Sequence, residues 1–544
     1  MLIAFIINSL ILFAIFGYSF CFKTIFLTND SRVKNIDFFY GLFLIYLLSI
    51  SLNFFFKISI FILPVFLIGL IVFTFGYFKK KISIKIFLFL LIIFFSTFIS
   101  FIPGNNIDSP MYHLQILKWI NDEKIIFGLA NLEIRFAMNN TWHNILALLN
   151  INFLKFNAKF YLSAILLSVL IYECTKKFTK FTNSEIYLII CLNFLILYSI
   201  IHPFGLGTIL NHLGNPENDI VSMLFFFFAI YFFIKTYEKK ENKNFIYLTF
   251  ILIFFCFTNR ITLIPLVLLG FFLLKVYKFS RFNKVIVLLT IAFIFWIFKS
   301  YALSGCLVFP IASSCLETFW TLDYKDILNH KNEVMSWTRG MSSFNHDNYD
   351  YTIYSNQWIV PWFKTYFFKT ALLQITSLVL FASTLIFITL SLIKKNITRF
   401  NSEEYFILLS FILIFSIWFI GPEIRYAYGP IISINAFIIY IILKRFKILN
   451  KIKEKIKFLN LSTILILSLF FIKCFTYFDV NNLFLVNKKN FNYSKIYLVK
   501  TIQDKEIFKS ENWQCADFKK ICINKIKDEY IFKEKFNYLI IKSY

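Results

Sequence analysis

The feature that most constrains this fold is a series of apolar segments, each close to the length needed to cross a lipid bilayer. A transmembrane helix requires roughly twenty apolar residues, and on that basis we count about fourteen candidate spans. They lie at approximately 2–22, 37–56, 58–78, 85–102, 157–173, 185–201, 219–236, 244–257, 261–275, 284–299, 370–392, 403–420, 427–443 and 460–476. The sequence therefore predicts an all-α polytopic membrane protein.

Composition agrees with this interpretation. Hydrophobic residues make up 59% of the 544 residues, charged residues only 16%, and the mean hydropathy is +0.70. A soluble core could not bury this much apolar surface. One stretch, 244–275, allows two interpretations, because Thr258, Asn259 and Arg260 at its midpoint form either a tight hairpin between two short spans or a polar site within one interrupted helix.

The basic residues indicate orientation. A net charge of +26 would suit a nucleic-acid partner if it formed one face of a soluble domain, but here the lysines and arginines fall in short clusters between apolar segments. We therefore expect no nucleic-acid partner. The clusters occur around 79–85, 176–180, 235–243, 275–284, 394–399 and 444–457. All fall on one side if fourteen spans alternate, and the positive-inside rule makes that side cytoplasmic and places both termini outside.

Two domains are expected. Residues 1–477 form a multi-span membrane domain, whose largest outside loops are 103–156 and 301–362. Residues 478–544 are rich in charges and contain short β-prone runs such as KIYLVK and FNYLIIK, which predict a small extracytoplasmic α/β domain.

Four of the nine cysteines fall outside the membrane in this topology, namely Cys306, Cys315, Cys515 and Cys522. An even number in an oxidising compartment is compatible with local disulfides between Cys306 and Cys315 and between Cys515 and Cys522. Four cysteines allow three connectivities, and four free thiols are the alternative.

The segment 105–150 is the first long hydrophilic stretch of the chain. It gathers the ionisable and amide side chains of Asp108, His113, Glu133, Arg135, Asn139 and His143. A protein that only spanned the membrane would not need so many at this point, so we expect a binding or catalytic site. Glu133 and Arg135 could also be a simple exposed ion pair of little energetic weight.

Asp108 has two possible roles. Asp108 or Ser109 could cap the amphipathic helix that begins near Pro110, since Pro is tolerated in a first helical turn. Alternatively, Asp108 is a general base that takes a proton from an acceptor hydroxyl, and His113 lies within one helical turn of it. His113 could equally be a solvated interfacial histidine. The spacing of histidines and carboxylates matches no metal-site rule, so we assign no metal, although a divalent cation is possible.

Arg260 and Arg425 lie in short loops at the outside ends of spans. An arginine there is disfavoured by the positive-inside rule and is costly if it faces lipid, so each needs a partner. The guanidinium group suits a phosphate or a carboxylate, and a polyprenyl phosphate is one candidate. The alternatives are structural pairs of Arg260 with Asp219 or Glu217 and of Arg425 with Glu423. The loop 202–218 and the next residue add polar groups to the same face, including Asn215 and Asp219.

The long outside loop with an acidic residue beside an interfacial helix, the arginines at outside span ends and the soluble C-terminal segment together look like the GT-C superfamily of polyprenyl-phosphate-dependent glycosyltransferases. More closely, a series of blocks resembles an uncharacterised bacterial polytopic membrane-protein family of that class. In chain order these blocks are DSPMYHLQILKWI, GLANLEIRFAMNNTW, NHLGNPEND, TNRITLIPL, LSGCLVFP, SWTRG and GPEIRYAYG.

The resemblance implies an inverting glycosyl transfer at the outer face of a bacterial cytoplasmic (inner) membrane. Asp108 matches the aspartate that acts as base, the donor is a polyprenyl-phosphate-linked sugar, and the acceptor is a glycan or a membrane lipid. Arg260 or Arg425 would stabilise the leaving phosphate. In most of the superfamily the catalytic loop follows the first span, whereas three additional spans precede it here.

Three other functions remain open at this stage. An O-antigen polymerase or ligase would use an oligosaccharide on a pyrophosphate lipid, and the sequence does not separate it from a monosaccharide transferase. A lipid-linked sugar flippase would predict ionisable residues at span centres and an internal repeat, and we find neither in the sequence. A non-catalytic relative that holds other biosynthetic proteins is the third.

Overall fold

The structure is a computed structural model. It describes residues 1–27, 32–82, 85–101, 108–153, 156–175, 182–201, 213–238, 243–277, 283–340, 352–364, 401–445, 468–469, 495–512, 514–516, 518, 520–523, 527, 529–535 and 538–543.

Most described residues are helical. The helices span Leu2–Phe26, Phe38–Phe55, Ile62–Phe78, Ile86–Ser100, Leu114–Asp122, Thr141–Leu148, Ser163–Thr175, Asn183–Ile201, Asp219–Glu238, Lys243–Asn259, Val267–Tyr277, Lys284–Ser304, Tyr324–Gly340, Ile359–Trp362, Ser402–Trp418 and Tyr428–Arg445. The strands span Asn152–Phe153, Phe156–Asn157, Ile496–Ile502, Lys505–Ser510, Ile521–Cys522, Tyr530–Lys535 and Tyr538–Ser543.

Every other predicted span overlaps a helical segment, whereas those at 370–392 and 460–476 lie outside the described residues apart from residues 468–469. Among the described residues, five helices are long and apolar enough to cross a membrane by length and composition. These are Leu2–Phe26, Asn35–Phe55, Asp219–Glu238, Lys284–Ser304 and Ile424–Arg445. The prediction of several apolar helices is confirmed, but the count of fourteen is not, because the other apolar helices are shorter than a typical span.

The structure resolves the two interpretations of 244–275 in favour of a hairpin. The helix Lys243–Asn259 ends where Arg260 adopts an extended conformation (φ −148°, ψ 107°), and a 3₁₀ turn, Ile261–Leu266, leads into the next helix. That helix packs back against the first, because a Cβ atom on Gly270 would lie 3.3 Å from the ring of Phe250.

The N-terminal helices pack through very close backbone contacts. Gly17 in the helix Leu2–Phe26 faces Gly69 in the helix Ile62–Phe78, and a Cβ atom on Gly17 would lie 1.9 Å from the Gly69 carbonyl oxygen. Small residues at such crossings let helices approach closely in a membrane, where packing rather than water drives association.

The C-terminal segment is built from strands in its described part. Ile496–Ile502 and Lys505–Ser510 pair antiparallel, Ile521–Cys522 adds a short parallel pair, and Tyr530–Lys535 and Tyr538–Ser543 form a hairpin. The predicted β-prone runs are therefore strands, whereas no helix occurs among the described residues after 495, so the α part of the predicted α/β domain is not seen there.

These strands dock on the hydrophilic segment 105–150. Phe127 exchanges backbone hydrogen bonds with Leu539 and Ile541, and the Ala516 amide donates to the Pro110 carbonyl oxygen at 2.7 Å. The Gln115 amide donates to the Ala516 carbonyl oxygen at 2.6 Å. Both predicted cysteine pairs are disulfides in the structure, Cys306 with Cys315 and Cys515 with Cys522.

We expect Gly17→Ala to lower the free energy of unfolding by roughly 1–3 kcal/mol, because the new methyl group meets backbone that cannot move aside. The matched control is Gly270→Ala, also within a helix, where the nearest atom belongs to a side chain that can rotate. Both gain about the same helix propensity, roughly 1 kcal/mol. Thermal unfolding of the two variants in detergent provides the measurement, and equal melting temperatures would disprove the close-packing argument.

Candidate functional site

A cavity of about 390 Å³ lies where several helix ends meet, and we call it the large cavity. Part of its lining is ionisable or aromatic and comprises Asp108, Tyr112, His113, Asp219, Arg260, Trp296, His330, Lys331, Arg425 and Tyr426. The amide side chains of Asn139, Asn218 and Asn259 also line it. Another part is apolar and includes Phe257, Ile261, Val334, Met335, Ile417 and Ile420. The cavity therefore suits a ligand with a polar and an apolar portion.

Asp108 is held by Arg425. Its Oδ2 atom lies 2.8 Å from Arg425 Nη1, and the aspartate side chain remains 28% exposed. The turn that follows, Ser109–His113, starts without a side-chain capping hydrogen bond from Asp108, and the Ser109 hydroxyl instead donates to Glu217 at 2.8 Å. Asp108 therefore makes no side-chain capping hydrogen bond at the start of this turn.

The two arginines share a network of carboxylates. Arg260 forms an ion pair with Asp219 and lies 4.3 Å from the ring centroid of Tyr426. Arg425 also contacts Glu423 at 3.3 Å, and its Nη1 atom lies 3.9 Å from Asp219. The structural pairs that the sequence left open, Arg260 with Asp219 and Arg425 with Glu423, are thus both present, and the pair with Asp108 is additional.

Two buried histidines connect the large cavity to the interior. His113 Nδ1 lies 2.9 Å from His143 Nε2. His113 lines the large cavity, whereas His143 lines a smaller neighbouring cavity and is fully buried. The helix Thr141–Leu148 positions His143, and the backbone amide of Trp142 at its start donates to Asn259 Oδ1 at 2.8 Å.

The pKa shifts separate the protonation states of these groups. Burial raises the pKa of Asp108, but the charge and hydrogen bond of Arg425 outweigh it, so the net pKa lies below its ordinary value. Burial lowers the pKa of His113 despite the opposing charges of Glu217 and Asp108. Burial also lowers the pKa of His143, with the charge of His113 adding to it. At neutral pH Asp108 is therefore ionised and both histidines are neutral.

The remaining predicted site residues differ in where they lie relative to the large cavity. Asn139 lines the large cavity and donates to the Trp296 carbonyl oxygen at 2.6 Å. Arg135 lies over the ring of Tyr112 at 5.4 Å. Asn215 is buried in the turn before Asp219–Glu238, outside the cavity lining.

Glu133 is not among the residues that line the large cavity. The pKa of Tyr530 in the strand Tyr530–Lys535 is raised by burial first and also by the charge of Glu133. The large cavity is therefore lined without Glu133.

Sequence reasoning missed several lining residues. Trp296, His330 and Tyr426 line the large cavity, and Lys299 is buried beside His143. Trp296, His330 and Lys299 lie within apolar or amphipathic segments whose pattern is that of an ordinary helix, and Tyr426 lies in the short 3₁₀ turn Ile424–Ala427. Lys299 is the exception that a sequence signal could have found, because a lysine one turn inside an otherwise apolar helix is unusual.

The described residues contain no group of three or more His, Cys, Asp or Glu side chains that could hold a metal ion. What they offer is the ionised carboxylate of Asp108, the guanidinium groups of Arg260 and Arg425, and the neutral imidazole of His113 around one amphipathic space. Such a set can bind an oxyanion, orient hydroxyl groups and transfer a proton.

Residues 1–432 match a family described as a domain of unknown function, DUF8201. The chain belongs to the DUF8201 family. No curated protein and no solved structure matches it. The Asp108 turn, both histidines, Arg260 and Arg425 all lie within the part that defines DUF8201, whereas the C-terminal strands lie beyond it.

We expect Asp108→Asn and Arg425→Gln to destabilise the protein non-additively, because removing either partner leaves the other charge partly buried. The coupling free energy should be roughly 0.5–3 kcal/mol, toward the lower end because Asp108 is 28% exposed. Unfolding of the two single variants and the double variant in mixed micelles of detergent and SDS measures this coupling free energy. Additive effects would mean that the pair does not form.

The same pair predicts a pH dependence. The pKa of Asp108 is depressed in the folded protein. The contribution of its ionised form to the free energy of unfolding is therefore fully present above the unfolded pKa of about 3.9, and it is lost as the pH falls through the folded pKa. The difference in unfolding free energy between wild type and Asp108→Asn should therefore stay constant from neutral pH to about pH 4 and shrink below it. A difference that shrinks already near pH 6 would contradict the depressed pKa.

Proposed function

We propose that this protein is an integral membrane glycosyltransferase that moves a sugar from a polyprenyl-phosphate donor to a glycan or lipid acceptor. The observation that carries the proposal is an ionised carboxylate, Asp108, held 2.8 Å from Arg425 within a cavity that is partly charged and partly apolar. A sugar linked to a lipid phosphate has matching polar, anionic and apolar portions.

The chemistry is an inverting single displacement. The acceptor hydroxyl oxygen forms a bond to the anomeric carbon while the bond from that carbon to the phosphate oxygen breaks. Asp108 takes the hydroxyl proton, and the polyprenyl phosphate leaves with its charge stabilised by Arg260 and Arg425.

The ion pairs add one feature to this scheme. A carboxylate with a depressed pKa is a weak base, so Asp108 must be released from Arg425 before it accepts a proton. A donor phosphate that binds Arg425 competes for its N–H groups, and its negative charge beside Asp108 raises the pKa of that carboxylate. Donor binding would then activate the base. Without a donor, Asp108 would stay paired with Arg425 and would accept no proton.

The disulfides support an extracytoplasmic site. Cys306 and Cys315 flank Phe309 and Pro310, which line the large cavity, and disulfides persist in oxidising environments. We therefore propose that the large cavity opens on the outer face of the bacterial inner membrane.

The test is the surface glycan and lipid-linked sugar profile, by mass spectrometry, of a deletion strain that expresses wild type, Asp108→Asn or Arg425→Gln at equal membrane abundance. We expect both variants to match the deletion, with loss of a defined sugar and accumulation of its lipid donor, because each removes a group used in the transition state.

The matched control is Asp122→Asn, which removes an exposed carboxylate at the end of the helix Leu114–Asp122. It should restore the wild-type profile. If Asp108→Asn also restores the wild-type profile, the transferase proposal fails, because Asp108 is then not the general base. If the missing unit is an oligosaccharide on a pyrophosphate lipid, the enzyme is instead a polymerase or ligase.

A further inference from the structure

Lys299 is a buried lysine near the end of the apolar helix Lys284–Ser304, and its residue exposure is only 2%. Its Nζ atom donates to Asn144 Oδ1 at 2.6 Å and to Asn53 Oδ1 at 3.1 Å. Among the described residues, no carboxylate lies within 4 Å of it. An ionisable side chain in an apolar helix is costly and is therefore expected to serve a function.

A small cavity of about 20 Å³ lies beside Lys299, and we call it the small cavity. Trp119, Asn139 and His143 also line it. The Trp119 Nε1, Asn139 Oδ1 and His143 Nδ1 atoms are buried and have no hydrogen-bond partner among the described residues. A buried water needs roughly 10–15 Å³ and two to four polar partners, so this space and these atoms suit a single water.

We propose that a water in the small cavity links Lys299 to His143, and that the histidine pair extends this link to a binding position for a phosphate oxygen in the large cavity. Such a water can accept hydrogen bonds from Lys299 and Trp119 and donate to Asn139 Oδ1 and His143 Nδ1, which satisfies all four groups. This inference rests on the proposed function and specifies which part of the donor the His113 side of the cavity binds.

The direction of these hydrogen bonds fixes the tautomers. If His143 Nδ1 accepts from the water, its Nε2–H donates across the 2.9 Å contact to His113 Nδ1. The other nitrogen of His113, Nε2, then carries its proton and presents an N–H group to the large cavity. His113 is thus a binding residue that donates to the ligand, and His143 and Lys299 are positioning residues that act through it.

In its protonated form, Lys299 would favour an anionic ligand. Hydrogen bonds in a chain polarise one another in a low-dielectric interior, so a cation at one end strengthens the donor at the other. A strengthened N–H donor favours an anionic oxygen over a neutral hydroxyl. The opposite tautomers would make His113 Nε2 an acceptor, which would favour a hydroxyl group and reverse this preference.

The experiment measures binding of two short isoprenoid probes, farnesyl phosphate and farnesol, to the purified full chain in detergent. We expect Lys299→Met to weaken farnesyl phosphate binding at least tenfold and to change farnesol binding less than twofold. The matched control is Lys124→Met, which removes a half-buried lysine that also lines the small cavity, and it should change both affinities less than twofold.

A second variant covers the case in which Lys299→Met does not fold. His143→Leu breaks the link without altering Lys299 or the lining of the large cavity, and it should give the same selective loss for farnesyl phosphate. Equal weakening of farnesyl phosphate and farnesol binding would mean that Lys299 and His143 have a merely structural role. Unchanged farnesyl phosphate binding would mean that they have no role in binding. Either result overturns the inference.

Arg425→Gln separates the two proposals. If it abolishes farnesyl phosphate binding while Lys299→Met and His143→Leu do not affect it, the transferase proposal stands and the inference fails. If wild type binds neither probe, both fail.

Discussion

The ion pairs of Arg425 and Arg260 are the interactions on which the site depends. An arginine at the end of an apolar helix cannot remain without a partner, because the cost of an uncompensated buried charge is several kcal/mol. Arg425 therefore reaches Asp108, 317 residues away in the chain, and Arg260 reaches Asp219. These contacts bring the helix ends together around the large cavity, so the need to pair the buried arginines also shapes that cavity.

The C-terminal strands stabilise the same region from the other side. The Ala516 amide binds the Pro110 carbonyl oxygen, and Gln115 binds the Ala516 carbonyl oxygen, so the turn that carries Asp108 is held by a loop closed by a disulfide. Asn131 makes a further contact with Ile541 at 3.1 Å. A small strand region with a limited core gains its order from this docking, and in return it restricts the motion of the candidate base.

Local sequence signals predicted several cavity residues because their cause is local. A carboxylate after a span or an arginine in a short outside loop is visible from hydropathy and charge alone, and Asp108, Asp219, Arg260 and Arg425 all line the large cavity. Glu133, which the sequence also suggested as a site residue, is not part of that lining. The span count also exceeded what the described helices support, because hydropathy does not show where a helix ends.

The sequence by itself determined that the chain is mostly helical and apolar, that its polar groups concentrate at helix ends, and that strands occur near the C-terminus. These properties follow from composition, periodicity and the cost of polar groups in an apolar environment. Only the tertiary structure decided that Arg425 pairs with Asp108, that His113 meets His143, and that Lys299 lies behind them. The physical reason is that such contacts join residues far apart in sequence, and their geometry depends on how the helices pack.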